Sequence, residues 1–159
     1  MSVATADLYD EHGDKVRVVT PMFRDFGARK QFSGPVSTLK VFEDNTLVRS
    51  ALEEDGAGRV LVVDGGGSLR CALVGDMLAK LGVDNNWQGI VVYGCIRDSA
   101  VIAGMDIGVK AINTNPKKSV KKGVGERDID IEFGGVSFKA GDYLYADEDG
   151  IVVAEEKLV

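Results

Sequence analysis

The 159 residues carry a net charge of −6, with 45% hydrophobic and 28% charged positions, which fits one soluble α/β domain over residues 1–159 with a core that needs no staples. The pI of about 4.8 argues against non-specific nucleic-acid binding, since phosphate contacts need a basic face, but leaves open an acidic surface that docks on a basic protein. The start, Met1-Ser2-Val3-Ala4-Thr5-Ala6-Asp7-Leu8-Tyr9-Asp10, does not read as a signal peptide, and no apolar run approaches the ~20 residues of a membrane span, so a cytoplasmic protein is expected.

In chain order, Asp7–Asp10 belongs to a short helix that Gly13-Asp14 ends, and Val16–Val19 opens a strand. Val36–Phe42, rich in β-branched and aromatic residues, predicts a second strand. Asn45 reads as the N-cap of a helix over Thr46–Glu54, with Leu47, Val48, Ala51 and Leu52 on one face. Arg59–Val63 is a buried strand, and Asp64-Gly65-Gly66-Gly67-Ser68 a tight loop. After the short apolar run Cys71–Val74, Gly75-Asp76 begins a helix to about Leu81, and Asp84–Trp87 is a turn. Gly89–Ile96 is another buried strand, followed by a helix from Asp98 to about Ala103 and a strand at Val109–Asn113. Residues 115–128 form a polar loop. The tail, Ile129–Phe133, Val136–Phe138, Asp142–Tyr145 and Ile151–Ala154, is a run of short strands separated by Gly134-Gly135, Gly141 and Asp149-Gly150, which is hairpin punctuation. Buried strands covered by helices and a second antiparallel layer are expected.

Few residues here carry ready chemistry. Cys71 and Cys95 form neither a disulfide framework nor a zinc site and read as small buried apolar residues. His12, the only histidine, falls near the end of the first helix, so catalysis would run through carboxylates, metal and water. The glycine loop lacks both the glycine that a dinucleotide fingerprint needs at Arg70 and the Gly-Lys-Ser/Thr of a phosphate-binding loop; it reads as a sharp turn. Lys117, Lys118, Lys121 and Lys122 could attract an anion or a nucleic acid, but in so acidic a chain they read as a solvated loop.

The pattern that stands out is Asp76, twenty intervening positions, then Arg97-Asp98. One carboxylate starts a helix, and a guanidinium and a second carboxylate follow a buried strand, so the three could converge on a divalent cation and an anionic substrate. Taken singly, Asp76 could simply cap its helix, and Arg97-Asp98 could be a structural pair at a strand-to-helix turn.

Four stretches add a likeness to a known family: Arg59–Arg70, Gly75-Asp76, Trp87–Asp98, and the tail from Phe133-Gly134-Gly135-Val136 to Gly150-Ile151. Over nearly the whole chain they resemble the family of the regulator of ribonuclease E activity A, which includes the class II 4-hydroxy-4-methyl-2-oxoglutarate aldolases. The resemblance implies a swivelling β/β/α domain, with mixed sheet layers and covering helices. It also implies a homotrimer or dimer of trimers, with an active site near the subunit interface and an extra acid from the neighbouring subunit in some members.

Asp76, Arg97 and Asp98 match the aldolase pattern position for position. By resemblance, Asp98 would ligate magnesium or manganese, and the N–H groups around Gly75, Asp76, Met77 and Leu78 would hold the carboxylate of a 2-keto acid. Arg97 would bind the keto oxygen, and Asp76 would orient a water that takes the C4 hydroxyl proton. Lys80 lies near the motif, but no Schiff base is needed. The implied reaction is cleavage of 4-hydroxy-4-methyl-2-oxoglutarate to two pyruvates, with oxaloacetate decarboxylation through the same pyruvate enolate. The alternative it implies is a binding protein that inhibits ribonuclease E without catalysis. A menaquinone methyltransferase reading is set aside, because no S-adenosylmethionine glycine loop is visible.

Overall fold

A computed structural model describes residues 3–159 of the chain; Met1 and Ser2, part of the start read above for a targeting signal, lie outside them. Helix α1 (Thr5–His12) is followed by strands β1 (Val16–Val18), β2 (Arg24–Asp25) and β3 (Phe32–Lys40). Then come α2 (Thr46–Leu52), β4 (Val60–Asp64), β5 (Ala72–Val74), α3 (Asp76–Asp84), β6 (Gly89–Ile96), α4 (Ser99–Ile102) and β7 (Gly108–Thr114). The tail holds β8 (Glu126–Arg127), β9 (Ile131–Phe133), β10 (Val136–Phe138), β11 (Tyr143–Asp147) and β12 (Gly150–Ala154). No helix of the described residues is long and apolar enough to cross a membrane.

The strands run in the order β1-β12-β11-β3-β4-β6-β7-β2, with β9 and β10 a separate hairpin. β3 belongs to both layers. Its first half pairs antiparallel with β11, Phe32 to Pro35 facing Ala146 to Tyr143, and its second half pairs parallel with β4 from Val36↔Val60 onward. The strand therefore starts four residues before the expected Val36. The signal that concealed it is Pro35, which usually argues against a central strand because it cannot donate to a ladder. Here Pro35 sits at the last β11 position, where β3 changes partner.

The parallel strands alternate between two cores, as period-two side chains must. Leu61 and Val63 of β4 and Ile90 and Val92 of β6 pack with Val48, Ala51 and Leu52 of α2, Leu78 and Ala79 of α3 and Ile102 of α4. Val60, Val62 and Val91 face the other way, against Leu144 and Ala146 of β11, Ile151 and Val153 of β12, and Phe133 and Phe138. Phe133 stacks on Tyr93 with ring centroids 5.0 Å apart and on Phe138 at 4.5 Å, which fastens the β9–β10 hairpin to the sheet. The outer face of the antiparallel layer is covered by α1, where Leu8 packs on Tyr145 and Val152. The layers are thus antiparallel sheet, parallel sheet and helices, the β/β/α order expected, with α1 as an outer cover.

Several boundaries differ from expectation. Asn45 occupies the N-cap position of α2 as expected, but its side chain makes no capping bond and donates to the Leu73 carbonyl; Asp44 Oδ1 instead accepts the Thr46 N–H at 3.0 Å and its hydroxyl at 2.8 Å. α3 continues three residues past Leu81. Asp98 precedes α4 without capping it. The two-residue strand β2 has no counterpart among the expected elements, since so short an edge carries no periodicity.

Candidate functional site

The geometry of the site follows from one strand pairing. β5 lies parallel to β6 with Val74 opposite Ile96, and the Arg97 N–H donates to the Val74 carbonyl at 2.9 Å. Both chains leave the sheet at the same edge, so Gly75-Asp76 and Arg97-Asp98 emerge side by side although twenty positions separate them in sequence. This is the carboxyl edge of parallel strands, where open α/β sheets place their ligands.

Asp98 stands in the left-handed region at φ 57°. Aspartate tolerates that region better than most residues, and the turn aims its side chain back at α3. Its Oδ2 accepts the Asp76 N–H at 3.0 Å. The amide expected to face a substrate carboxylate is therefore engaged by Asp98, whereas the N–H groups of Met77 and Leu78 have no acceptor among the described residues. Gly75 makes this closeness possible: a Cβ there would stand 2.8 Å from Asp98 Oδ2 and 3.4 Å from Arg97 Cγ. Gly75 occupies the cap position, and Asp76 is the first helical residue with no capping bond from its side chain. The Asp76 carboxylate accepts no hydrogen bond from any described residue, so capping does not account for it. Arg97 Nη1 lies 3.4 Å from the Pro116 carbonyl and forms no ion pair among the described residues, leaving most of its donors for a ligand.

These residues line one cavity of about 360 Å³, a volume suited to a small ligand. Its remaining wall comes from α2 and the polar loop, including Arg49, Glu53, Lys118, Ser119 and Lys121. Lys118 and Lys121, expected on a solvated loop, are both exposed, and both also line the cleft. The loop is held by Asp44. Its Oδ2 accepts the N–H groups of Lys122 at 2.9 Å and Val124 at 3.1 Å. Burial would raise the Asp44 carboxyl, but these bonds, with those from Thr46, outweigh it and hold the group at about 2.

The other candidates are structural. Gly66 and Gly67 have φ of 68° and 69°, and the N–H groups of Gly65 and Gly67 both donate to the Tyr93 carbonyl at 3.1 Å. The glycine loop is therefore a turn closed on its own sheet. Cys71 and Cys95 are buried free thiols, pushed up by desolvation, as inert core cysteines are. His12 ends α1, away from the cleft. Lys80 is paired with Asp84. Among the described residues no three His, Cys, Asp or Glu side chains group as metal ligands.

The RraA-like (Aldolase/RraA) family matches residues 5–153. A protein of Alkalilimnicola ehrlichii named "Putative 4-hydroxy-4-methyl-2-oxoglutarate aldolase" is 65% identical over the whole of this chain and 99% of its own length. Among solved structures, one described as S-adenosylmethionine: 2-dimethylmenaquinone methyltransferase from Geobacillus kaustophilus is 52% identical with a TM-score of 0.97, covering 98% of this chain and 97% of that one. One described as the RNA-processing inhibitor RraA from Thermus thermophilis is 45% identical with a TM-score of 0.96, covering 100% of this chain and 96% of that one.

Proposed function

Because the chain belongs to the RraA-like (Aldolase/RraA) family, we propose that it is a carbon–carbon lyase that cleaves 4-hydroxy-4-methyl-2-oxoglutarate to two pyruvates and decarboxylates oxaloacetate as a second activity. The observation that carries this reading is the meeting of Asp76, Arg97, Asp98 and the open N–H groups of Met77 and Leu78 in one cavity.

A divalent cation fits the donors present. Asp98 offers a hard carboxylate oxygen, Oδ1, that accepts no hydrogen bond from a described residue, while Oδ2 is anchored on the Asp76 N–H. One carboxylate with water completing the shell suits magnesium or manganese, which keep several waters. When bound, the cation would polarise the 2-keto group as a Lewis acid.

The chain's own residues supply the rest. The free N–H groups at the head of α3 hold the keto acid's carboxylate, as helix N-termini hold anions. The Arg97 guanidinium donates to the keto oxygen and stabilises the negative charge that gathers there as the C3–C4 bond breaks. The Asp76 carboxylate takes the C4 hydroxyl proton through a water, and a proton returned from that water to C3 of the enolate completes the second pyruvate. Oxaloacetate has no C4 hydroxyl and loses carbon dioxide without such a transfer, so the two reactions make different demands on Asp76.

The test follows pyruvate release from each substrate with magnesium and then with excess chelator. Chelator is expected to abolish both activities, and Arg97→Lys to lower both by roughly 10²–10³, the loss typical of an oxyanion donor. Asp76→Asn should depress aldol cleavage far more than decarboxylation. Turnover that survives chelation would refute the metal-dependent reading, and equal losses in Asp76→Asn would refute the proton role.

Methyl transfer, named for the Geobacillus structure, is not adopted. The cavity is at the small end for holding a sulfonium nucleoside beside a quinone, and the glycine loop's amides are used in its own turn.

A second reading rests on the likeness to the Thermus inhibitor over the full chain. We propose that an outer surface of a homotrimer contacts ribonuclease E directly, without RNA. Asp98→Asn should then lose catalysis and keep inhibition. Wild-type protein that leaves ribonuclease E activity unchanged at low salt would dismiss this reading, and light scattering would report the assembly.

A further inference from the structure

A dicarboxylate substrate needs a second anion site, because its keto-acid end occupies the head of α3 and Arg97. Two cations of the cleft are unassigned. Lys118 and Lys121 line the cavity, and neither forms an ion pair among the described residues. Arg49, on the same wall, is already 3.5 Å from Glu53.

The loop that carries the lysines is pinned on both sides of them. Before them, the Lys117 carbonyl accepts the Ala72 N–H at 2.8 Å, and Lys118 bridges to Ala72. After them, the N–H groups of Lys122 and Val124 reach Asp44. Between them Ser119 is buried, the Val120 N–H donates to the Glu43 carbonyl at 3.1 Å and the Asn45 N–H reaches the Val120 carbonyl at 3.4 Å. A chain of net charge −6 thus holds two unpaired ammonium groups on a braced backbone at the rim of its cavity. Ordinary solvation of a loop does not require that bracing.

We propose that Lys118 and Lys121 form the subsite for the substrate's distal carboxylate and select 2-keto dicarboxylates over 2-keto monocarboxylates. This rests on the lyase reading of the same cavity. Ammonium groups on flexible stems act as point charges and do not demand one carboxylate geometry, so the subsite would accept dicarboxylates of somewhat different length.

The experiment compares binding of 2-oxoglutarate and 2-oxopentanoate, which differ by a carboxylate in place of a methyl, measured calorimetrically with magnesium present. Neither ligand can be cleaved by a retro-aldol step, since neither carries a C4 hydroxyl. Wild type is expected to prefer 2-oxoglutarate by roughly ten-fold, with the preference shrinking as salt is raised. The double variant Lys118→Ala/Lys121→Ala should lose that preference while its affinity for 2-oxopentanoate is unchanged, and Lys118→Arg/Lys121→Arg should restore it. A preference that persists in the double alanine variant, or is missing in wild type, overturns the subsite and leaves the lyase reading standing. If wild type binds neither ligand, the lyase reading fails and the subsite with it.

Discussion

At Gly75 the absence of a side chain decides the shape of the site. Its backbone, at φ −120° and ψ −167°, is open to any residue, so the requirement is for space. A Cβ would press on Asp98 Oδ2 at 2.8 Å, an atom already committed to the Asp76 N–H. Gly75→Ala is expected to fold normally, with a melting temperature near that of wild type, and to lose manganese affinity and turnover by at least ten-fold, because Asp98 must move. A variant that binds manganese as tightly as wild type would show that Asp98 does not hold the metal. The residue scale also separates what proximity in sequence suggests from what it means. Arg97 and Asp98 are neighbours, yet Asp98 turns to α3 while Arg97 reaches towards Pro116.

At the scale of elements, Asp44 couples α2 to the loop that carries Lys118 and Lys121. Four hydrogen bonds converge on its carboxylate, two from Thr46 and one each from Lys122 and Val124. Its native pKa of about 2 lies below that of an unfolded aspartate, about 3.9. The stabilisation is therefore complete above about pH 5 and is lost as pH falls towards 2. Asp44→Ala removes it at neutral pH. The expected cost is about 2–3 kcal/mol, from loss of four bonds to a charged acceptor, read as a lowered denaturation midpoint. The variant should also show a weaker dependence of stability on pH between 2 and 5. A dependence identical to wild type would mean that other carboxylates govern acid unfolding.

Across the whole molecule, Lys110 joins parts that are distant in the chain. It is 3% exposed, its Nζ lies 2.8 Å from Asp25 Oδ1 and donates to the Asp147 carbonyl at 2.7 Å, and so links β7 and β2 to the end of β11. The Asp147 side chain accepts both the N–H and the hydroxyl of Thr5, at 2.8 and 2.7 Å, which docks α1. Lys110 is buried while Asp25 keeps a quarter of its side chain exposed, so removing the lysine leaves a part-buried carboxylate and the Asp147 carbonyl without their donor. Lys110→Ala should therefore cost about 1.5–3 kcal/mol, and Lys110→Met/Asp25→Leu distinctly less. Equal losses in chemical denaturation would mean that volume, not charge, is what the site requires.

Much of this protein was legible from its order of residues. The unbroken apolar runs in Arg59–Val63 and Gly89–Ile96, the glycine punctuation of the tail and the helix start at Gly75-Asp76 are local signals, because burial and turn chemistry act over a few residues. The motif formed by Asp76, Arg97 and Asp98 was legible too, as three positions. What no local pattern carried is the pairing of Val74 with Ile96 that makes those positions neighbours, the change of partner at Pro35 that gives one strand to two sheets, and the folding of a lysine loop onto the cleft rim. The buried Lys110 was likewise unreadable, since a charge inside a strand is explained only by the Asp25 and Asp147 that distant segments bring to it. Periodicity states which face of a segment is buried; only the packing of segments far apart in the chain determines what each face meets.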